Sequence, residues 1–209
     1  MVRQRVRIRF RKQGDLRLVG HRDLARSMER LFRRAGLRLG MSQGFHPKPR
    51  MSFPSALALG IEGLDEVMEL ELAESYTAGE LLELLAQHAL SGLTFRSVAL
   101  LPPGTRKPAV KSARYQVSVP APRRADASDR MARLLAASSC PIQRAAGRGP
   151  IDVRPFLQEL TLREGVLTMR LSIGRGASAG PRDVLRALGL ESLEHEGVYL
   201  TRTTVELDA

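Results

Sequence analysis

The 209-residue chain holds a single cysteine and no tryptophan, and aromatic residues make up only 4% of it. One thiol, Cys140, excludes an intrachain disulfide, which suits a reducing compartment. It also excludes an iron–sulfur cluster held by this chain alone, because such clusters take several thiolates. So few rings argue against a binding mode built on many stacking platforms. His21, His46, His88 and His195 fall at no zinc-like spacing, so neither a metal nor another cofactor is expected. No run of about 18 apolar residues exists, which excludes a membrane-spanning helix. The N-terminal residues alternate arginine with apolar side chains and lack the uninterrupted apolar segment of a secretory leader, so the cytosol is the expected compartment. Residues 51–93 contain no Lys or Arg at all, yet carry eight acids.

What is abundant is positive charge. Lys and Arg number 33 against 22 acids, for a formal net charge of +11. Residues 1–50 hold fifteen of those cations and three acids (Asp15, Asp23, Glu29). Asymmetry of this kind predicts a basic face, a separate acidic face and a polyanionic partner, for which RNA is the leading expectation.

Residues 2–11 alternate strictly: Val6, Ile8 and Phe10 on one side, Arg3, Arg5, Arg7, Arg9 and Arg11 on the other, the period of a strand. A helix is predicted over 21–35, with Leu24, Met28, Leu31, Phe32 and Ala35 as its apolar stripe and Arg22, Arg26, Arg30 and Arg33 as a basic one. A loop is expected over 40–54, strands near 51–59, over 66–72 and over 94–101, and a helix over 78–90. The stretch from Pro102 to Lys111 reads as a linker. The order β-α-β-β-α-β is the ferredoxin-like pattern, and the second half repeats it in outline: strands over 115–119, 157–162, 166–173 and 198–207, helices over 126–138 and 182–188. The expected fold is therefore α+β, two tandem ferredoxin-like domains (1–104 and 112–209) with antiparallel sheets.

Five features are candidates for function. The strand arginines should occupy the open face of the sheet, where guanidinium forks suit phosphate; the alternative is a solvated face paired with Glu69 and Glu71. In Gly20-His21-Arg22-Asp23-Leu24, His21 is a candidate general acid or base on a phosphodiester, with Asp23 favourable to the first-turn dipole; the alternative is capping alone. Ser42-Gln43-Gly44-Phe45-His46-Pro47-Lys48-Pro49-Arg50 is a stiff polar loop of the kind that binds ligands. Asp152 and Arg154, in Ile151-Asp152-Val153-Arg154-Pro155, would share a face on an extended segment and either pair or meet a ligand. The glycine-rich stretch from Gly174 to Gly180 precedes the last helix, as phosphate-cradling loops do, but matches no nucleotide-binding fingerprint.

Together these motifs, with Gly14-Asp15-Leu16-Arg17 before the second of them, resemble the radical-SAM-linked protein family, a bacterial domain family. The chain departs from the family pattern at Gly20 and at His46, where a serine and an asparagine are common. The resemblance implies a radical S-adenosylmethionine enzyme as partner and an accessory role for this chain; the basic surface adds the expectation that RNA, transfer or ribosomal, is what it presents. The basic surface then comprises Arg3, Arg5, Arg7, Arg9, Arg11, Arg22, Arg26, Arg30, Lys48 and Arg50. The motif surface comprises His21, Asp23, Ser42, Gly44, Phe45, His46, Pro47, Pro49, Asp152 and Arg154. Three rival readings stand beside this. The tandem pattern is also similar to CRISPR repeat-processing endoribonucleases, with His21 as base, and to transfer RNA pseudouridine synthases, for which Asp152 is the only nominee. The third is a protein-interaction module that docks through the acidic stretch.

Overall fold

Alternation in the first residues becomes strand β1 (Gln4–Lys12), whose Val6, Ile8 and Phe10 are at most 1% exposed. This is a computed structural model that describes residues 4–144, 149–174, 176 and 178–208. After β1 come α1 (His21–Arg34), β2 (Met51–Ser52), β3 (Glu62–Leu72), α2 (Ala78–Gln87) and β4 (Leu93–Leu101). Then follow β5 (Val110–Ser118), α3 (Arg124–Ala136), β6 (Pro141–Ile142), β7 (Ile151–Asp152), β8 (Leu157–Arg163), β9 (Val166–Ser172), α4 (Pro181–Ala187) and β10 (Thr201–Leu207). The chain is a mixed α+β protein and divides into two units, Met1–Ala109 and Val110–Ala209.

In the first unit β1 lies between β3 and β4, and β2 pairs with β3, all antiparallel. The spatial order is therefore β4-β1-β3-β2. Leu24, Met28, Leu31 and Phe32 of α1 and Leu81 and Leu85 of α2 meet Val6, Ile8, Phe10, Met68 and Leu70 in one apolar cluster. Burial of such side chains is the dominant favourable term, about 1.5–3 kcal/mol for each. α2 starts with a capping box: Thr77 Oγ1 accepts from the Glu80 N–H at 3.2 Å, and the Glu80 carboxylate accepts from the Thr77 N–H at 2.7 Å, an arrangement that satisfies two donors the helix end leaves free.

In the second unit β5 lies between β10 and β9, and β8 pairs with β9, again antiparallel. The β8–β9 hairpin turns on Glu164 and Gly165, both at positive φ (52° and 78°), the backbone that a two-residue hairpin turn requires. Inserted between α3 and β8 is a two-stranded ladder, β6 with β7, which has no counterpart in the sequence-based expectation. The stretch from Pro102 is also not a free linker: Arg5 donates to the carbonyls of Thr105 and Arg106, which ties it to β1.

Candidate nucleic-acid interface

The strand arginines do project to the face opposite the helices, since they alternate with the apolar residues of the core. They do not repel one another unrelieved there. Register places Arg7 opposite Glu69 and Arg5 opposite Glu71. Glu69, only 3% exposed, accepts from both neighbours: Oε2 from Arg5 Nε (3.2 Å) and Nη2 (2.5 Å), Oε1 from Arg7 Nε (3.1 Å) and Nη2 (3.0 Å). Arg9 pairs with Asp65, and Glu71 with Arg50 at 3.2 Å. The alternative of a face paired across the sheet thus describes Arg5, Arg7 and Arg9. Arg11 is half-buried, and Arg3 lies outside the described residues. The charge asymmetry along the sequence consequently does not become two separate faces, because β3 brings the acids onto the arginines. Nor is the acidic stretch an open docking surface at Glu69 and Glu71, one buried and the other paired.

The basic helix stripe is on the other side of the sheet. α1 packs its apolar stripe on the core side of β1, so exposed Arg22, Arg26 and Arg30 point away from the strand arginines, and the two sets cannot form one groove wall. Arg26 pairs with Asp23 at 3.2 Å; Arg22 and Arg30 make no ion pair among the described residues. His21 opens the helix with its ring edge-on to Phe53, centroids 5.1 Å apart, and takes no hydrogen bond among the described residues. Phe53 in turn meets Phe10 edge-on at 6.3 Å. Gly20 is the N-cap and no side chain caps this end, so Asp23 serves Arg26 instead.

The 42–50 segment is a closed loop. The Ser42 N–H donates to the Lys48 carbonyl (2.8 Å), the Lys48 N–H donates to Ser42 Oγ (2.9 Å), and Met41 bridges Pro49. Pro47 and Pro49 restrict φ further, and Gly44 stands at φ +125° with open space where a Cβ would go. At the tip Phe45 is 102% exposed, which forgoes the roughly 1.5–3 kcal/mol that burial would contribute. His46 and Lys48 are exposed beside it, and Lys48 has no ion pair among the described residues. At the loop base a cavity of about 250 Å³ is lined by Arg5, Arg50, Ser52, Glu69, Glu71 and Lys107, among others. Its cations outnumber its acids, but the acids already hold Arg5 and Arg50.

The side chains of Asp152 and Arg154 form no ion pair with each other among the described residues. Asp152 Oδ1 accepts from the N–H groups of Cys140 (2.7 Å) and Arg154 (3.0 Å). The Cys140 N–H, the Ser139 side chain and the Arg154 N–H hold its carboxyl below the usual aspartate value. The Arg154 guanidinium donates to the carbonyls of Ala137 (3.1 Å), Leu135 (3.3 Å) and Leu157 (3.4 Å), closing the C-terminal end of α3, where carbonyls lack helix partners. Burial first, then Asp152, push the Cys140 thiol up. At the end of the glycine-rich stretch two residues are engaged. The Gly180 N–H donates to Asp183 Oδ2 (2.8 Å), and Arg144 bridges Asp183 (2.7 Å) and the Ser178 carbonyl (2.6 Å). Arg148, Arg175 and Ala177 lie outside the described residues. Sequence reasoning missed Lys107, Asp65, Arg144 and Asp183. Asp183, following Gly180-Pro181, was the one with a local signal, an acid in the first turn of a helix.

Among the described residues no group of three or more His, Cys, Asp or Glu could hold a metal ion, and no helix is long and apolar enough to cross a membrane.

Fold and surface define an α+β protein of two antiparallel sheet units, the first carrying a clasped basic loop. Residues 5–182 match the family described as "Uncharacterized protein conserved in bacteria (DUF2344)", and the chain belongs to that family. No curated protein matches it. Among solved structures it is similar to the crystal structure of an unknown protein from Galdieria sulphuraria, at 11% identity, 99% coverage of each chain and a TM-score of 0.29.

Proposed function

We propose that this chain is a cytosolic RNA-binding accessory protein of a radical S-adenosylmethionine enzyme, built from two ferredoxin-like domains. The strand order β4-β1-β3-β2 in the first unit, and β10-β5-β9-β8 in the second, supports the ferredoxin-like reading. The partner rests on the spaced motifs and their family resemblance. The RNA reading is carried by one observation: after the sheet has neutralised Arg5, Arg7 and Arg9, exposed Arg22, Arg30 and Lys48 remain without an ion pair among the described residues. RNA contact therefore falls to the helix and the loop, with the strand arginines as scaffold.

The test is the salt dependence of binding to a labelled single-stranded oligoribonucleotide between roughly 50 and 200 mM salt. The log–log slope should become shallower by about 2 in the Arg22→Ala/Arg30→Ala/Lys48→Ala variant, because each phosphate contact contributes about −0.7 on single strands. No binding at low salt sinks the RNA reading, and an unchanged slope removes these three residues from it. Co-expression with a radical S-adenosylmethionine enzyme encoded beside this chain tests the partner; failure to co-purify in either orientation of tagging refutes that part.

A further inference from the structure

The loop over residues 42–48 resembles a finger more than a connection. A seven-residue span is closed on itself by two hydrogen bonds between Ser42 and Lys48. Its tip residue, Phe45, is the most exposed of the large apolar side chains named at this surface, at 102%. Most exposed apolar residues are unremarkable. This one differs in three respects. It is aromatic in a chain with very few rings. It stands on a loop pre-shaped by a clasp, two prolines and a glycine at φ +125°, so little conformational freedom is left to lose on binding. And the sequence around it has one sign: residues 40–50 contain Lys48 and Arg50 and no acid, and with Arg50 paired to Glu71 Lys48 is the cation there that makes no ion pair among the described residues.

An isolated ring beside an unpaired lysine is complementary to a nucleotide, offering a π-face for the base and a cation for the phosphate. An apolar pocket of a protein would accept the ring but give the one-sided charge no partner. We infer that Phe45 is a stacking finger for an unpaired base of single-stranded RNA, with Lys48 on an adjacent phosphate. This rests on the RNA reading above and adds to it the class of nucleic acid and the residue that selects it. Stacking needs a free base face, so duplex RNA of the same length should not engage the ring. Gly44 sets the direction of the finger through its backbone alone, as a Cβ there would touch nothing while its φ disfavours any other residue.

The absence of tryptophan makes the test clean. Phe45→Trp places one indole in the chain, at the tip, where it packs on nothing and leaves folding intact. Affinity is read from the anisotropy of a labelled oligoribonucleotide, and contact from indole fluorescence in the same titration. Single-stranded RNA should quench the indole with affinity at least that of wild type, while duplex RNA should leave it unchanged. Phe45→Leu, still apolar but without a π-face, and Phe45→Ala should each weaken single-strand binding about 5- to 150-fold, the range expected for one lost base stack. Gly44→Ala should weaken it in the same direction. Single-stranded RNA that binds without quenching, or Phe45→Leu binding as wild type does, overturns the finger while the RNA reading stands. A wild-type chain that binds no RNA overturns both. An indole that responds to the radical S-adenosylmethionine enzyme and not to RNA overturns the finger in favour of a protein pocket.

Discussion

If Arg5 and Arg7 are scaffold, Glu69 is the residue whose loss should reveal it. Its two oxygens are each held by one guanidinium, it is almost wholly buried, and the arginine side chains are only 22% and 25% exposed. Glu69→Gln preserves shape but removes the charge, offers one accepting oxygen in place of two, and turns an amide N–H₂ toward an arginine. Removing one partner of a fully buried ion pair costs about 3–5 kcal/mol. Partial exposure of the guanidinium groups lets water recover some of that, so about 2–4 kcal/mol is expected here. Because the chain has two units, a single global unfolding energy is ill-defined, and native-state amide hydrogen exchange of the β1 and β3 peptides is the better assay. Their exchange should accelerate about 30- to 900-fold. Replacing the trio together, Glu69→Leu with Arg5→Met and Arg7→Met, should restore most of the protection, since an apolar isostere removes the need to desolvate charge. RNA affinity should change little in Glu69→Gln. Exchange within about threefold of wild type, together with RNA binding tightened tenfold or more, would show that the carboxylate restrains cations that belong to the RNA surface, and the scaffold assignment would be lost.

Other consequences are checked more simply. Asp152 has a lowered pKa in the folded chain, so its contribution is complete above the unfolded aspartate value near pH 4 and fades as pH falls through the folded one; in thermal melts between about pH 5 and 3, wild type should lose more stability than Asp152→Asn. Arg154→Ala should destabilise the second unit by about 1–3 kcal/mol through its freed carbonyls, seen as faster exchange at the end of α3, and Arg154→Lys should not rescue it because an ammonium cannot span three carbonyls. His21→Ala should leave RNA as intact on a gel as wild type does, since the imidazole packs on Phe53; cleavage by wild type that the variant lacks would revive the endoribonuclease reading.

Much of the first unit could be read from residue patterns because its forces are local and periodic. Val6, Ile8 and Phe10 had to share a face, and Leu24, Met28, Leu31 and Phe32 had to share a stripe. The same two patterns already imply that strand and helix arginines lie on opposite sides: if both apolar faces meet, both basic faces turn away. Gathering them into one basic surface overlooks that constraint. Other features depend on register and long-range closure, which no local pattern carries. That Glu69 holds two arginines follows from pairing across more than sixty residues, and that Glu71 takes Arg50 from pairing across 21. The spacing of Asp152 and Arg154 predicts a shared face, but Asp152 is engaged by Cys140, Ser139 and the Arg154 N–H, and the Arg154 guanidinium by the carbonyls of Leu135, Ala137 and Leu157. The β6 and β7 strands are two residues each, too short to leave any periodicity.

Arginine density by itself is therefore a poor guide to where a polyanion such as the proposed RNA would be held. A guanidinium opposite a buried carboxylate is satisfied before any ligand arrives, and pulling it away would leave that carboxylate unpaired in a region nearly closed to water. An exposed arginine on a helix loses only hydration and rotamer freedom when it meets a phosphate. The five-arginine strand catches the eye in the sequence, yet Arg5, Arg7 and Arg9, each held by a carboxylate, make the weaker case for contact. The stronger case belongs to isolated cations such as Lys48, which makes no ion pair among the described residues and shares its loop with the exposed ring of Phe45. Function on this surface is best sought where charge has been left unanswered, not where it is most crowded.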